Sequence, residues 1–215
     1  MYYFVEAMHE GDIPRVQEIE RQSFTAPWSA NTYRRELNTP ETSRYLVARS
    51  SPTLPPEEPA GPPARRPLLA TLLPPLFSKP QPPSPYPIVG YGGLWLMVDE
   101  AHVTTIAVSP SHRGLGIGEL LLNGLIDQAT ELQASRLTLE VRISNESAQR
   151  LYLKYGFQPS GTRPRYYTDN GEDALIMWTD TITDDAYQVR LRDLRERLAL
   201  RLRKQAGMPD PRSLA

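Results

Sequence analysis

Between Val103 and Ile126 a β-rich apolar run gives way to a glycine-dense turn and then to apolar residues at helical spacing. The chain must pass there from strand to turn to helix. The run ends at Ser109-Pro110, and Ile117, Leu120, Leu121, Leu125 and Ile126 then mark one face of a helix. Gly114, Gly116 and Gly118 lie at the bend, where missing Cβ atoms let several backbone N–H groups converge at the helix N-terminus. Unpaired donors and the positive end of the helix dipole together favour an anion such as phosphate. Two common phosphate loops fit poorly. No Lys-Ser/Thr follows the glycines, and Glu119 stands where a dinucleotide fingerprint requires glycine.

Tyr2 to Ala7 reads as a first strand, followed by a helix with Asp12 as N-cap, Pro14 in its first turn and Ile13, Val16 and Ile19 at helical spacing. Ser29 is placed to cap a second helix carrying Tyr33 and Leu37. Trp28, beside Pro27, either lines a pocket or plugs the core; large aromatics chiefly supply buried area, which favours the plug. Arg44 to Arg49 reads as a second strand. Ser51 to Pro87 then holds 14 of the 22 prolines. Because proline fixes φ and removes a ladder donor, neither helix nor sheet can run through it, and the segment reads as a flexible or polyproline-like insertion lengthening a hairpin connection. Its apolar part, Leu68 to Leu73, is a candidate for docking on the surface.

Strand character resumes at Ile88 to Met97, with a bend or bulge suggested by Gly90, Gly92 and Gly93, and again at His102 to Val108. The helix after the glycine loop should reach about Gln133. Leu137, Leu139 and Val141 alternate with Thr138, Glu140 and Arg142 as in a half-buried strand. Asn145 is placed to cap a short helix that Gly156 closes. Phe157 to Gly161 and Ala174 to Trp178 supply two more strands, with Tyr166-Tyr167 between them. Residues 187 to 204 read as a charged helix with a narrow stripe of Leu191, Leu194, Leu198 and Leu202. Seven basic residues against two acidic ones from Arg190 to Lys204 would suit ribosomal RNA or a partner helix, but a stripe packed on the domain with its charges solvated is the plainer reading. The expected organisation is a mixed α/β domain over residues 1–179, interrupted by the insertion 51–87 and followed by an extension, 180–215.

The chain has no cysteine, so a disulfide, a thiolate metal site and a cysteine nucleophile are all excluded. A formal charge of −1 over 215 residues gives the whole chain no bias toward nucleic acid. No apolar run approaches a membrane span and no signal peptide is visible, so a cytoplasmic location is expected. His9, His102 and His112 fall at no ligand spacing; they read as ordinary histidines, and no metal is expected.

Glu140 lies on the polar side of its strand near its end, close to where the sheet should splay beside the glycine loop. Tyr152 follows one short helix later. Acyl transfer to an amine needs such a pair. An α-amine with a reference pKa of about 7.7–8.0 is mostly protonated at neutral pH and must be deprotonated before it attacks. A departing thiolate benefits from a donor still protonated at pH 7, as a phenol with a reference pKa of about 10 is. Backbone N–H groups must meet the oxyanion.

The motif Arg113-x-x-Gly116-x-Gly118 resembles the pyrophosphate loop of the GNAT family of acetyl-CoA-dependent N-acetyltransferases. The segment from Leu139-Glu140-Val141-Arg142 through Ser144-Asn145 and Leu151-Tyr152 to Gly156-Phe157 resembles the signature of its RimI-type branch, the ribosomal-protein-alanine N-acetyltransferases. Pro27-Trp28-Ser29, Ile106-Ala107-Val108-Ser109-Pro110 and Arg165-Tyr166-Tyr167 extend the resemblance, which leaves out the insertion and the tail. It implies a mixed, mostly antiparallel sheet flanked by helices, with Glu140 as base and Tyr152 as acid. It implies main-chain groups of Ile106, Ala107 and Val108 on the pantetheine arm of acetyl-CoA. Arg113, Gly114, Leu115, Gly116, Ile117, Gly118 and Glu119 would hold pyrophosphate, and Asn145 would bond the cofactor. Trp28, Tyr33, Tyr166 and Tyr167 are the candidates for the acceptor site, and the implied partner is a ribosomal protein N-terminus met by a monomer. His112 departs from the tyrosine common before the loop. Lysine side chains or small amines as acceptors, and a coenzyme A-binding scaffold without turnover, are the alternatives.

Overall fold

The computed structural model describes residues 1–54 and 84–208. Strand β4 (Glu100–Val108) leads through a short 3-10 turn and the glycine loop into helix α3 (Ile117–Glu131). On α3, Ile117, Leu121, Leu122, Leu125, Ile126 and Ala129 are buried and form the centre of the main core. The stripe read from the sequence, apart from the half-buried Leu120, is thus the face laid on the sheet, and each of its buried Ile and Leu side chains contributes about 1.5–3 kcal/mol by leaving water.

The other elements are β1 (Tyr2–Ala7), α1 (Ile13–Arg21), α2 (Ala30–Leu37), β2 (Ser43–Ser51), β3 (Ile88–Met97), β5 (Arg136–Arg142), α4 (Glu146–Lys154), β6 (Gln158–Tyr167), β7 (Glu172–Trp178) and α5 (Asp185–Gln205). Seven strands form one sheet in the order β1-β2-β3-β4-β5-β7-β6, antiparallel at every step except β4 to β5. A second core of Val16, Ile19, Tyr33, Tyr45, Val47 and Tyr91 holds α1 and α2. None of the described helices is long and apolar enough to cross a membrane.

Two irregularities open the sheet in its middle. The parallel pairing of β4 with β5 covers only Glu100–His102 against Arg136–Thr138, so the strands part beyond those residues. In β4, Gly93 faces Thr105 while Leu94 faces Val103, which leaves Thr104 as the extra residue of a bulge. Gly93 permits the close packing there: a Cβ on it would lie 2.2 Å from the Tyr45 ring.

Several local expectations are corrected. Asp12 does not cap α1 through its side chain; it receives the His9 amide and pairs with buried Arg49 at 2.6 Å. The last strands are longer than expected, and Tyr166 and Tyr167 end β6 instead of lying in a loop. Gly161 and Pro164 look like breakers in the sequence, but β6 is the sheet's outer strand, where a missing donor costs no ladder bond. The Leu68–Leu73 segment lies outside the described residues.

Helix α5 buries Leu191, Leu194 and Leu198 against the domain. Leu194→Ala should therefore lower the unfolding free energy of the full chain by about 2–4 kcal/mol, measured by urea denaturation. No loss of stability would mean that the extension packs on nothing.

Candidate active site

The split between β4 and β5 holds a cavity of about 430 Å³. Its β5 side carries Leu139, Glu140, Val141 and Arg142, its β4 side His102 to Ile106, and Asn145 and Tyr152 come from α4 and its cap. The loop before α2, through Phe24 and Trp28, and the end of β6, through Tyr166 and Tyr167, form the remaining walls. Local chemistry fixes these walls. Asn145 accepts the Ala148 amide at 3.2 Å and so caps α4, and Ser29 accepts the Thr32 amide at 3.1 Å and caps α2. Arg142 grips Asp169 with one nitrogen 2.9 Å from each carboxylate oxygen, reaches Glu172 at 3.1 Å and lies 3.8 Å from the centre of the Tyr167 ring. Thr25 then ties the loop before α2 to Asp169 at 2.9 Å, closing the two walls on each other.

Glu140 is nearly buried and meets two cation-forming groups: His102 Nε2 lies 3.1 Å from Oε2, and Arg163 Nη1 lies 3.2 Å from Oε1. The hydrogen bond from His102, chiefly, and the charge of Arg163 hold the carboxyl below its ordinary pKa despite burial. The Tyr152 phenol is raised well above its ordinary value by burial, with Tyr167 adding to the effect, and stays protonated at neutral pH. Sequence reading treated His102 as an ordinary histidine. The signal that would have found it is the parallel register, which sets His102 opposite Thr138, one same-face position before Glu140.

Glu20 was also missed. Its carboxylate is buried on the cavity wall, one oxygen has no partner among the described residues, and burial raises its pKa. A lone Glu inside a helical pattern gives no sign of this.

The glycine loop follows directly from β4. Gly114 and Gly116 adopt φ +77° and +88°, conformations in which an L side chain is strained. The first α3 hydrogen bond is donated by Leu120 to Gly116, and the amides of Gly114 through Glu119 find no acceptor among the described residues. Six consecutive N–H groups with no partner among the described residues, ending at a helix N-terminus, are the donors an anion cradle needs. Arg113 contributes less directly than expected, since its Nε donates to the Val108 carbonyl at 3.1 Å.

Of the candidate residues, Glu140, Tyr152, Asn145, Ile106, Trp28, Tyr166 and Tyr167 share the cavity. Tyr33 does not. It is fully buried in the second core, edge-on to Tyr45 and Tyr91, and its place among acceptor-site candidates is withdrawn. Trp28 does both things considered for it, stacking on Trp95 at 5.8 Å while lining the cavity. Ile117 and Ala107 are buried by their side chains, so only their backbone can face a ligand. The Glu119 side chain is taken up by Lys154 and Arg201.

The model of the acetyltransferase (GNAT) family matches residues 82–157. A Bacillus subtilis (strain 168) protein, named provisionally as a ribosomal protein bS18-alanine N-acetyltransferase, is 38% identical over 174 residues, which is 81% of this chain and 93% of that one. The chain belongs to the GNAT family. A Mycobacterium tuberculosis relative named N-alpha-acetyltransferase RimI is 32% identical over 183 residues, covering 82% of this chain and 92% of its own. The crystal structure of the Escherichia coli ribosomal-protein-S18-alanine N-acetyltransferase has the same fold, with a TM-score of 0.60 at 24% identity over 85% of this chain and 97% of that one. The molecule is thus an acetyl-CoA-dependent N-acetyltransferase of the RimI type. The loop offers what the diphosphate of that cosubstrate would need: six amides with no partner among the described residues, and open space within 4 Å of a Cβ built on Gly114.

Proposed function

We propose that this GNAT enzyme acetylates the α-amine of a protein N-terminus, an alanine of a ribosomal protein, directly and within the β4–β5 cavity. The observation that carries the reading is the meeting of Glu140, His102 and Tyr152 in one cavity whose other walls are aromatic and loop-borne. The relatives' names supply the acceptor class. When bound, acetyl-CoA supplies an activated acetyl thioester. Amides 114–119 hold its diphosphate, and the backbone of Ile106, Ala107 and Val108, on the edge of β4 left unpaired by β5, holds the arm leading into the cavity. Trp28, Tyr166 and Tyr167 orient the incoming peptide.

Glu140 and His102 act as one proton-accepting unit. A carboxylate held below its ordinary pKa is a poor base toward an ammonium on its own, whereas imidazoles titrate near neutrality. Glu140 orients His102 and stabilises the imidazolium that forms, as a carboxylate does in hydrolase triads. Tyr152 delivers the proton to the departing sulfur. Residues 1–179 supply every group in this scheme.

His102→Ala tests the pair. His102→Ala removes the proton acceptor of the pair, so kcat/KM at neutral pH should fall and the acid limb of its profile should move to lower pH, toward the Glu140 carboxylate that is left. An unmoved limb would separate the two groups. The acceptor is tested by mass spectrometry after incubation with acetyl-CoA and short peptides beginning with Ala, Ser, Met or Lys. Acetylation of the α-amine of the alanine peptide is expected, and modification of lysine side chains alone would overturn the reading.

A further inference from the structure

Helix α5 belongs to the extension that the resemblance to the family left out, yet its last turns lie on the glycine loop. A Cβ on Gly116 would stand 2.8 Å from Arg201 Nη2 and 3.3 Å from Leu198 Cδ1. Arg201 Nη2 donates to Glu119 Oε2 at 2.6 Å, while Lys154 Nζ reaches Oε1 at 2.5 Å and the Tyr155 hydroxyl donates to the same oxygen at 2.9 Å. Glu119 sits in the first turn of α3, next to the free amides, and is almost wholly buried. Further along, Arg195 of α5 bonds Asn123 Oδ1 at 3.2 Å and pairs with Asp127 at 2.5 Å, so those two charges cancel.

We propose that the tip of the C-terminal helix is part of the cofactor's phosphate site, with Arg201 as a positioning residue that offsets the buried Glu119 carboxylate at the mouth of the glycine loop. The inference rests on the assignment of amides 114–119 to the coenzyme A diphosphate. A buried carboxylate beside that cradle, left alone, opposes any phosphate bound there. Burial by itself would raise the Glu119 pKa, but Lys154 and Arg201 together outweigh it and keep the group ionised. With Arg113, whose guanidinium meets no carboxylate among the described residues, three cations against one anion leave two net positive charges at the loop. Without Arg201 one of the two is lost. At a few ångströms and a partly buried site, one charge is sufficient to change anion affinity severalfold or more.

The test is calorimetric titration of the full chain, without acceptor, using coenzyme A and, as a phosphate-free probe, pantetheine. The parent must bind coenzyme A more tightly than pantetheine; equal affinities would remove the loop assignment itself, whatever Arg201 does. Given that preference, Arg201→Gln should weaken coenzyme A about tenfold and leave pantetheine unchanged. Arg201→Lys keeps the charge and should bind coenzyme A as the parent does.

Glu119→Gln should bind more tightly. The double variant Glu119→Gln/Arg201→Gln, back to the parent's net charge through Lys154 and Arg113, should return to within about twofold of the parent. A double variant as weak as Arg201→Gln would mean direct contact between the guanidinium and a phosphate, and would overturn the charge-balance role. A parallel fall in pantetheine binding, or a fall in melting temperature with no change in coenzyme A affinity, would reduce Arg201 to packing and overturn it too. If Arg201→Gln does not fold, the Lys and Glu119→Gln variants decide: Lys binding far more weakly, or Glu119→Gln binding no more tightly, sinks the proposal.

Discussion

Glu140→Gln should lower kcat/KM for α-acetylation about a hundred- to a thousandfold at pH 7, with coenzyme A affinity unchanged. The substitution preserves volume and leaves an acceptor oxygen within reach of His102 Nε2, which stands 3.1 Å from the carboxylate in the parent. It removes the charge that would stabilise an imidazolium. Without that pair the peptide ammonium must lose its proton to solvent. The deficit should therefore shrink as pH passes the amine's reference pKa of about 7.7–8.0, because the neutral amine then becomes the dominant form. The sign follows from the parent as well: Glu140 is held below its ordinary pKa, so it is ionised throughout pH 6 to 9 and loses nothing on the alkaline side. Equal parent and variant rates across that range would remove Glu140 from the mechanism. A constant deficit would leave it an electrostatic role without proton transfer.

What the residues disclosed about this molecule was local. The turn from β4 into α3 was legible because glycine spacing and an apolar stripe are properties of adjacent residues, and both Ser29 and Asn145 cap the helices they precede. The cavity depends on something different. It exists because β4 and β5 pair over three residues and then separate, and no single stretch records that register. His102 was passed over for this reason, since its partner lies 38 positions away on a strand reached only after α3. Tyr33 was misassigned for the converse reason. An aromatic near a suspected acceptor loop faces either the pocket or the core, and only the packing of Tyr45 and Tyr91 decides. The charges of α5 looked like a solvated face, but Arg195 and Arg201 are spent on residues of α3, a long-range pairing that charge patterning along one helix cannot reveal.

Tyr152→Phe should cost about a hundredfold in kcat while the Kd for coenzyme A and the melting temperature stay close to the parent's. The ring is what packs: Tyr152 lies 5.6 Å from Phe157 in the main core, and phenylalanine keeps that contact. Among the described residues no hydrogen bond ties the hydroxyl to the fold, so its loss removes chemistry and not structure. Burial holds the phenol well above its ordinary pKa, so it remains a proton donor across the working range, and no alkaline limb below about pH 10 should belong to it. A leaving-group series distinguishes proton donation from mere placement of the thioester. The penalty of Tyr152→Phe should be largest for the coenzyme A thiolate, whose reference pKa is near 8.5, and should shrink for acetyl thioesters of more acidic thiols, which depart without a proton. A penalty independent of the leaving thiol would assign Tyr152 to positioning and leave the proton at sulfur to solvent.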